Sequence, residues 1–229
     1  AIVQARVSST RLPGKVLKKV NGKPLIEILF HRLSKSKKID EIILATSESS
    51  ENDSLANLIK KRGYDVFRGS ENDVLGRYFE AANKYQPKSV VRITGDCPII
   101  DPAIIDEVIS LYEKENANYA SNTNPPTYPD GLDVEVFSFY SLKEANKKAK
   151  TSHEREHVTP YIRSNKKLKK INLINDQDDS NERWTVDDNE DLKVIGNIIN
   201  HFDPNLDFSW KDVINLKQSH SGYFKENKS

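Results

Sequence analysis

The segment ARVSSTRLPGK, residues 5–15, gathers Arg6, Arg11 and Lys15 with three hydroxyl side chains and a Pro13-Gly14 turn directly behind an apolar run. Guanidinium and ammonium groups on one sharply bent loop are suited to holding an anion. Phosphate is the anion expected where such a loop feeds a helix, whose first amides favour negative charge. The segment departs from the G-x-x-x-x-G-K-[ST] phosphate loop at two places, since Ser9 stands where the first glycine belongs and Val16 where the last hydroxyl belongs. A phosphate loop of a different kind is therefore expected. Most Lys and Arg on loops are merely solvated, and it is the clustering at a strand end that argues for a ligand here.

The elements around the loop explain its position. Residues 2–5 read as the end of a buried strand. Residues 24–33 read as a helix, because Leu25, Ile28, Leu29 and Leu33 recur at helical spacing behind Pro24. The pattern then repeats: strand 41–45, helix 52–62, strand 65–67, helix 74–85, strand 89–94 and helix 102–115. Such alternation predicts an α/β fold, a mainly parallel Rossmann-like sheet covered by helices on both faces. Ligands of such sheets gather at the carboxyl ends of the strands, where both the cationic loop and TGDCP (94–98) fall.

The second half is less regular. It reads as strand 119–122, a Pro-rich excursion NTNPPTYPDG (122–131), an alternating strand 132–137 with Asp133 and Glu135 on one face, and helix 141–150. A helical stretch 153–164 interrupted by Pro160, strand 169–174, strand 184–186, helix 191–201 and a polar tail from 219 follow. With no repeat or low-complexity linker, one domain over 1–229 is expected, its less regular part around 119–165, although about 150 residues per domain would also allow two. Lys and Arg number 35 against 34 Asp and Glu, so a net charge of +1 offers no general attraction to nucleic acid or to an anionic membrane. Cys97 is the single cysteine, which excludes an intrachain disulfide. No apolar run approaches the ~20 residues of a membrane span. A cytoplasmic protein is expected; no signal-peptide pattern is visible, and a start at Ala1 implies the loss of leading residues.

QARVSSTRLPGK (4–15) followed by VNGKPLIE (20–27) resembles the start of the cytidylyltransferases that activate sugar acids such as KDO and sialic acid as CMP-sugars, and is closer still to their spore-coat polysaccharide branch. The resemblance continues through RGSENDVLGRY (68–78), RITGDCPIIDP (92–102), DGLDVEVFS (130–138), EREHVTPYI (154–162) and RWTVDDNEDL (183–192). It implies a GT-A-like nucleotidyltransferase sheet, CTP and a sugar-acid acceptor as substrates, release of pyrophosphate, and a homodimer with 122–131 at the contact. Two other readings stay open: a GT-A-type glycosyltransferase using a nucleotide sugar in surface polysaccharide synthesis, and a non-catalytic sugar-nucleotide-binding subunit if Asp187 does not reach Asp96.

Nucleotidyl transfer gathers negative charge at phosphorus, and Mg²⁺ held by one or two carboxylates offsets it. Asp96 follows a strand and a glycine, while Asp187 ends RWTVD; the resemblance assigns both to the metal. By type and spacing alone, Asp96 could serve as a turn or N-cap residue before Pro98, and Asp187 could cap the next helix as part of the run Asp187, Asp188, Glu190, Asp191. Arg6, Arg11 and Lys15 are expected to neutralise the leaving pyrophosphate, with Ala5, Ser8, Ser70, Arg92 and Thr94 around base and ribose. Arg6, Lys15, Asp96 and Asp187 form the expected catalytic set. Two carboxylates on one strand face repel unless they bind a cation, an amine or sugar hydroxyls, so Asp133 and Glu135 are assigned to the acceptor. Cys97 lacks CxxC spacing and a stated thiolate partner, and is expected to be a buried neighbour of the site.

His153-Glu-Arg-Glu-His157 formally matches the zinc motif H-E-x-x-H. The intervening Arg155-Glu156 pair is too polar for a helix pressed between zinc and a core, Pro160 breaks the helix within a turn, and no third ligand is evident. The resemblance places Glu156 and His157 on the acceptor side instead.

Overall fold

In the computed structural model, which describes residues 1–224, the first half follows the predicted alternation. It runs β1 (Ile2–Gln4), a two-residue ribbon of β2 (Lys19–Val20) and β3 (Lys23–Pro24), α1 (Leu25–Leu33), β4 (Ile43–Ser47), α2 (Asp53–Lys61), β5 (Asp65–Gly69), α3 (Val74–Tyr85), β6 (Ser89–Thr94) and α4 (Pro102–Lys114). The second half adds β7 (Tyr119–Ser121), β8 (Glu135–Ser138), α5 (Phe139–Lys148), α6 (Ser152–His157), α7 (Pro160–Ser164), β9 (Lys170–Asn172), α8 (Asn189–Phe202) and α9 (Trp210–Ser219).

Seven strands form one sheet in the order β5-β4-β1-β6-β8-β7-β9. All its pairings are parallel except those of β8 with β6 and β7. The chain leaves β1 toward β4 and β5, then returns to add β6 on the other side of β1. The loops after β1 and β6 therefore part in opposite directions and open a crevice at that switch point. Alternate strand residues supply two cores. Val3, Leu44 and Ile93 pack with α1, α4, α8 and α9 on one face. Ile2, Ala45 and Val90 pack with α3, α5 and Ile162 of α7 on the other. Buried Arg32 stitches α1 to later loops by donating to the carbonyls of Ile100, Leu206 and Phe208.

Four sequence expectations are corrected. The strand expected over 132–137 begins only at Glu135, so Asp133 lies on the preceding irregular segment and not on a strand face beside Glu135. The stretch 153–164 is two helices: Val158 turns to φ 68 between them, and Pro160 begins the second, where its missing N–H costs nothing. Residues 184–186 form no ladder, although the Trp184 amide donates to the Asp130 carbonyl at 2.6 Å and the Val186 amide to that of Asp96 at 2.8 Å. Helix α9 is not among the expected elements, yet Ser209 and Asp212 make its capping box. Of the expected polar tail, Ser221–Tyr223 form a 3₁₀ turn, and 225–229 lie outside the described residues. The Pro-rich excursion is folded onto its own chain, with Tyr128 buried edge-on against Trp210. Among the described residues no helix is long and apolar enough to cross a membrane.

Candidate active site

The crevice is made narrow by glycine. The Gly95 amide donates to the Gln4 carbonyl at 2.8 Å, and a Cβ there would stand 2.7 Å from that of Ala5. The ends of β1 and β6 can meet only because none is present. The cationic loop is pinned at both ends. The Val7 amide donates to Oδ1 of buried Asn52 at 2.8 Å, and the Gly14 amide returns to the Val7 carbonyl at 3.0 Å with Gly14 at φ 69, a left-handed conformation glycine adopts without strain. Lys15 then opens a 3₁₀ turn with its side chain directed inward.

Lys15 joins the two distant aspartates. Its Nζ lies 3.1 Å from Asp96 Oδ2 and 2.9 Å from Asp187 Oδ1. Asp187 also pairs with Arg11 at 3.0 Å and Arg183 at 2.6 Å. Partial burial would raise the Asp187 pKa, but Lys15, Arg183 and Arg11 outweigh it and hold the carboxyl below its ordinary value. The capping alternatives are filled by other residues: Asp188 caps α8 with Asp191 in a reciprocal box, and Asp101 caps α4. Asp96 and Asp187 thus present oxygens to one point already taken by a cation, as two ligands of a divalent ion would. Among the described residues no group of three His, Cys, Asp or Glu side chains could hold a metal. The donor set therefore suits an ion that completes its shell from phosphate and water.

A cavity of about 490 Å³ is lined by Ala5, Arg6, Ser8, Arg11, Lys15, Thr94, Asp96 and Asp187. Two residues expected with them do not line it. Ser70 uses its hydroxyl to accept from the Asp73 amide, and Arg92 faces a second cavity of about 290 Å³ with Asp133, Glu135 and His157. Thr94 lines both, so the two open on either side of one side chain. Glu156, expected on the acceptor side, lines the first cavity, whereas His153 lines the second.

The two carboxylates of the second cavity differ sharply. Glu135 is 6 % exposed and accepts from Arg92 at 2.5 Å, Tyr119 at 2.6 Å and Thr159 at 2.7 Å. Burial would raise its pKa, but Arg92 and the two hydroxyls outweigh burial and hold it low. It anchors Arg92. Asp133 is reached by solvent, yet it sits in a concavity, where loss of hydration and then the charges of Asp130 and Glu135 push its pKa up to about 7.

Within the H-E-x-x-H match, Glu154 caps its own helix, accepting from the amides of Lys150 and Thr151 at 3.0 Å, and the His153 and His157 rings lie 4.6 Å apart, tilted by 52°. Cys97 is buried, and its thiol is pushed well above the ordinary range by burial and then by Asp96. Sequence reasoning assigns no role to Arg183, which pairs with Asp130 as well as Asp187, nor to Glu71, Arg77 and Arg163 of the cavity walls. No spacing signal marks Arg183, because residues 183–187 are not helical; Arg77 looks like any helical arginine until its burial is seen.

Comparison with known proteins shows the family and the fold. A family model described as cytidylyltransferase matches residues 1–203. The spore coat polysaccharide biosynthesis protein SpsF of Bacillus subtilis is 33% identical, over 94% of this chain and 92% of that one. A cytidylyltransferase from Leptospira borgpetersenii serovar Hardjo-bovis superposes with a TM-score of 0.93 at 33% identity, over 100% of this chain and 96% of the other. The CMP:2-keto-3-deoxy-manno-octonic acid synthetase complexed with CTP shares the fold at a TM-score of 0.66 and 16% identity, over 87% of this chain and 97% of that one. With its parallel sheet, its cationic loop and its two aspartates converging on Lys15, the chain belongs to the cytidylyltransferase family, whose members are nucleotidyltransferases.

Proposed function

We propose that this protein transfers CMP from CTP to the hydroxyl of a sugar acid, releasing pyrophosphate and supplying a CMP-sugar for polysaccharide synthesis. The observation that carries the reading is the Lys15 ammonium set between Asp96 and Asp187 on the wall of one cavity, with a second cavity beginning at Thr94. Nucleotide in the first and acceptor in the second would meet there. Asp96 and Asp187 are the residues that would hold Mg²⁺, and the bound ion would neutralise charge on the phosphate oxygens. Lys15, Arg11 and Arg6 stabilise the pyrophosphate as it departs, a contribution that grows along the reaction and so acts on turnover. Arg163 and His157 supply donors to the acceptor's carboxylate, and Asp133 accepts from its hydroxyls. No covalent enzyme intermediate is required, since alignment and charge stabilisation do the work. The chain acts as one nucleotidyltransferase unit with its acceptor part around 119–165, in a homodimer.

The test is a pyrophosphate-release screen of nucleotides against sugar-acid acceptors with Mg²⁺ present. Pyrophosphate formed with CTP and a sugar acid supports the reading. Release of a free nucleoside diphosphate from a nucleotide sugar, without pyrophosphate, would replace it with glycosyl transfer.

A further inference from the structure

Helix α6 buries none of its six residues, yet it stands between the two cavities, with Glu156 lining the first and His153 and His157 the second. Its placement therefore depends on a few anchors. Arg155 ties it to neighbouring helices, donating through Nε to Asp73 Oδ1 at 2.8 Å and through Nη1 to the Asn146 carbonyl at 2.8 Å. Its exit is fixed by Val158. That residue lies at φ 68 and ψ −54, and the Thr159 amide donates across it to the His157 carbonyl at 2.8 Å. This is a γ-turn of the rare, strained kind, and a β-branched residue is ill suited to its positive φ. Two anchors hold it there: Val158 is fully buried in the second core, and Thr159 Oγ1 donates to buried Glu135 at 2.7 Å.

The turn decides which side chains meet. In an uninterrupted helix, at about 100° per residue, Thr159 and Arg163 would stand about 160° and 120° around the axis from His157. With the helix broken at Val158, all three line the second cavity. We infer that Val158 is a positioning residue for the acceptor: its strained turn sets His157 and Arg163 on one cavity, where both meet the acceptor's carboxylate. Val158 itself lines neither cavity. The inference rests on the cytidylyl-transfer reading and adds what gives its acceptor site its shape. A turn serving only as a connector could carry glycine there without strain. The valine instead plants its side chain in the core and so fixes the angle between α6 and α7.

Val158→Ala and Val158→Gly in the full chain test this together. Alanine keeps the strain and removes most of the anchor, so the turn opens; glycine removes anchor and strain alike, so the turn stays accessible. Scanning calorimetry should find Val158→Gly melting about 2–4 °C above Val158→Ala, the reverse of their order at an ordinary backbone. Pyrophosphate-release kinetics, with Mg²⁺, CTP and the sugar acid most active in the screen above, read the positioning. Val158→Ala should raise the KM for the sugar acid by about tenfold or more, the loss expected when one charged hydrogen bond is misplaced. Val158→Gly should raise it by no more than about threefold, and the KM for CTP should stay within about threefold in both. A merely structural valine gives the opposite order, since glycine deletes more of the side chain than alanine. Should Val158→Ala not fold, Thr159→Val, which removes the second anchor, should raise the sugar-acid KM in its place, and Thr159→Ser should restore it. Val158→Gly melting below Val158→Ala, or an equal sugar-acid KM in wild type and the variants, overturns the inference while the transferase reading stands. No pyrophosphate from CTP with any sugar acid overturns both.

Discussion

Asp187→Asn keeps the shape of the side chain and removes the charge on which Lys15, Arg11 and Arg183 converge. If Asp187 and Asp96 hold the metal, one of only two anionic protein ligands is lost. Removing a single group that stabilises transition-state charge typically costs about 10²–10³ in turnover, and a metal ligand should reach the upper end. Stability should change little. The carboxylate is only partly buried, so its ion pairs are screened and contribute less than about 1 kcal/mol each. Asp188→Ala should behave in the opposite way: Asp188 caps α8 by accepting from the Asp191 amide at 2.8 Å, and losing a cap costs about 1 kcal/mol. For a chain of this length that is about 2–4 °C in Tm, with turnover close to wild type. Pyrophosphate release at millimolar Mg²⁺ and scanning calorimetry on the same preparations read both quantities. Asp96→Asn should match Asp187→Asn, and the double variant should be little worse than either, because groups acting as one unit are not additive. Retention by Asp187→Asn of turnover within about tenfold of wild type, with a Tm drop of the size expected for a lost cap, would refute the reasoning.

Lys15→Ala and Arg6→Ala should each lose most turnover while melting near wild type, since neither side chain belongs to a hydrophobic core; full activity in both would remove the phosphate loop from the mechanism. Metal analysis of the purified protein should find no stoichiometric zinc, and the paired His153→Gln, His157→Gln variant should show no zinc-dependent loss; one zinc per chain would overturn the reading of the H-E-x-x-H match as accidental. Glu135→Ala leaves half-buried Arg92, with Tyr119 and Thr159, without its acceptor and should cost about 1–3 kcal/mol, so a urea midpoint equal to wild type would show that the Arg92 cluster is not structural. The Glu135 pKa is lower folded than unfolded. Its contribution is therefore complete above the unfolded value of about 4.3 and is lost as pH falls through the lower folded value. Urea midpoints in that acid range should fall less steeply in Glu135→Gln than in wild type; equal slopes would count against the linkage.

Hydrophobic period and turn chemistry are local properties, and they make the first half of the fold legible from residue order alone. Leu25 to Leu33 at helical spacing, the short apolar strands between helices, and a cationic loop at a strand end imply a parallel sheet with a ligand at its carboxyl edge. Local pattern is weaker where neighbours decide. Alternation over 132–137 suggests a strand, but only the part from Glu135 onward finds partners in β6 and β7, and its reversed direction follows from the sheet order. Whether Asp187 caps a helix or faces a cation cannot be read from four acidic residues in a run. The choice is made where Asp188 and Asp191 close the capping box and leave Asp187 to Lys15, 172 residues away in the chain. Likewise, the burial of Arg77 and the anchoring of Arg92 by Glu135 exist only because separate elements pack together. Residue types and their periods determined which elements form and what chemistry they carry. Strand order and crossovers determined which of those side chains meet, because contacts between distant segments are set by packing and not by spacing along the chain.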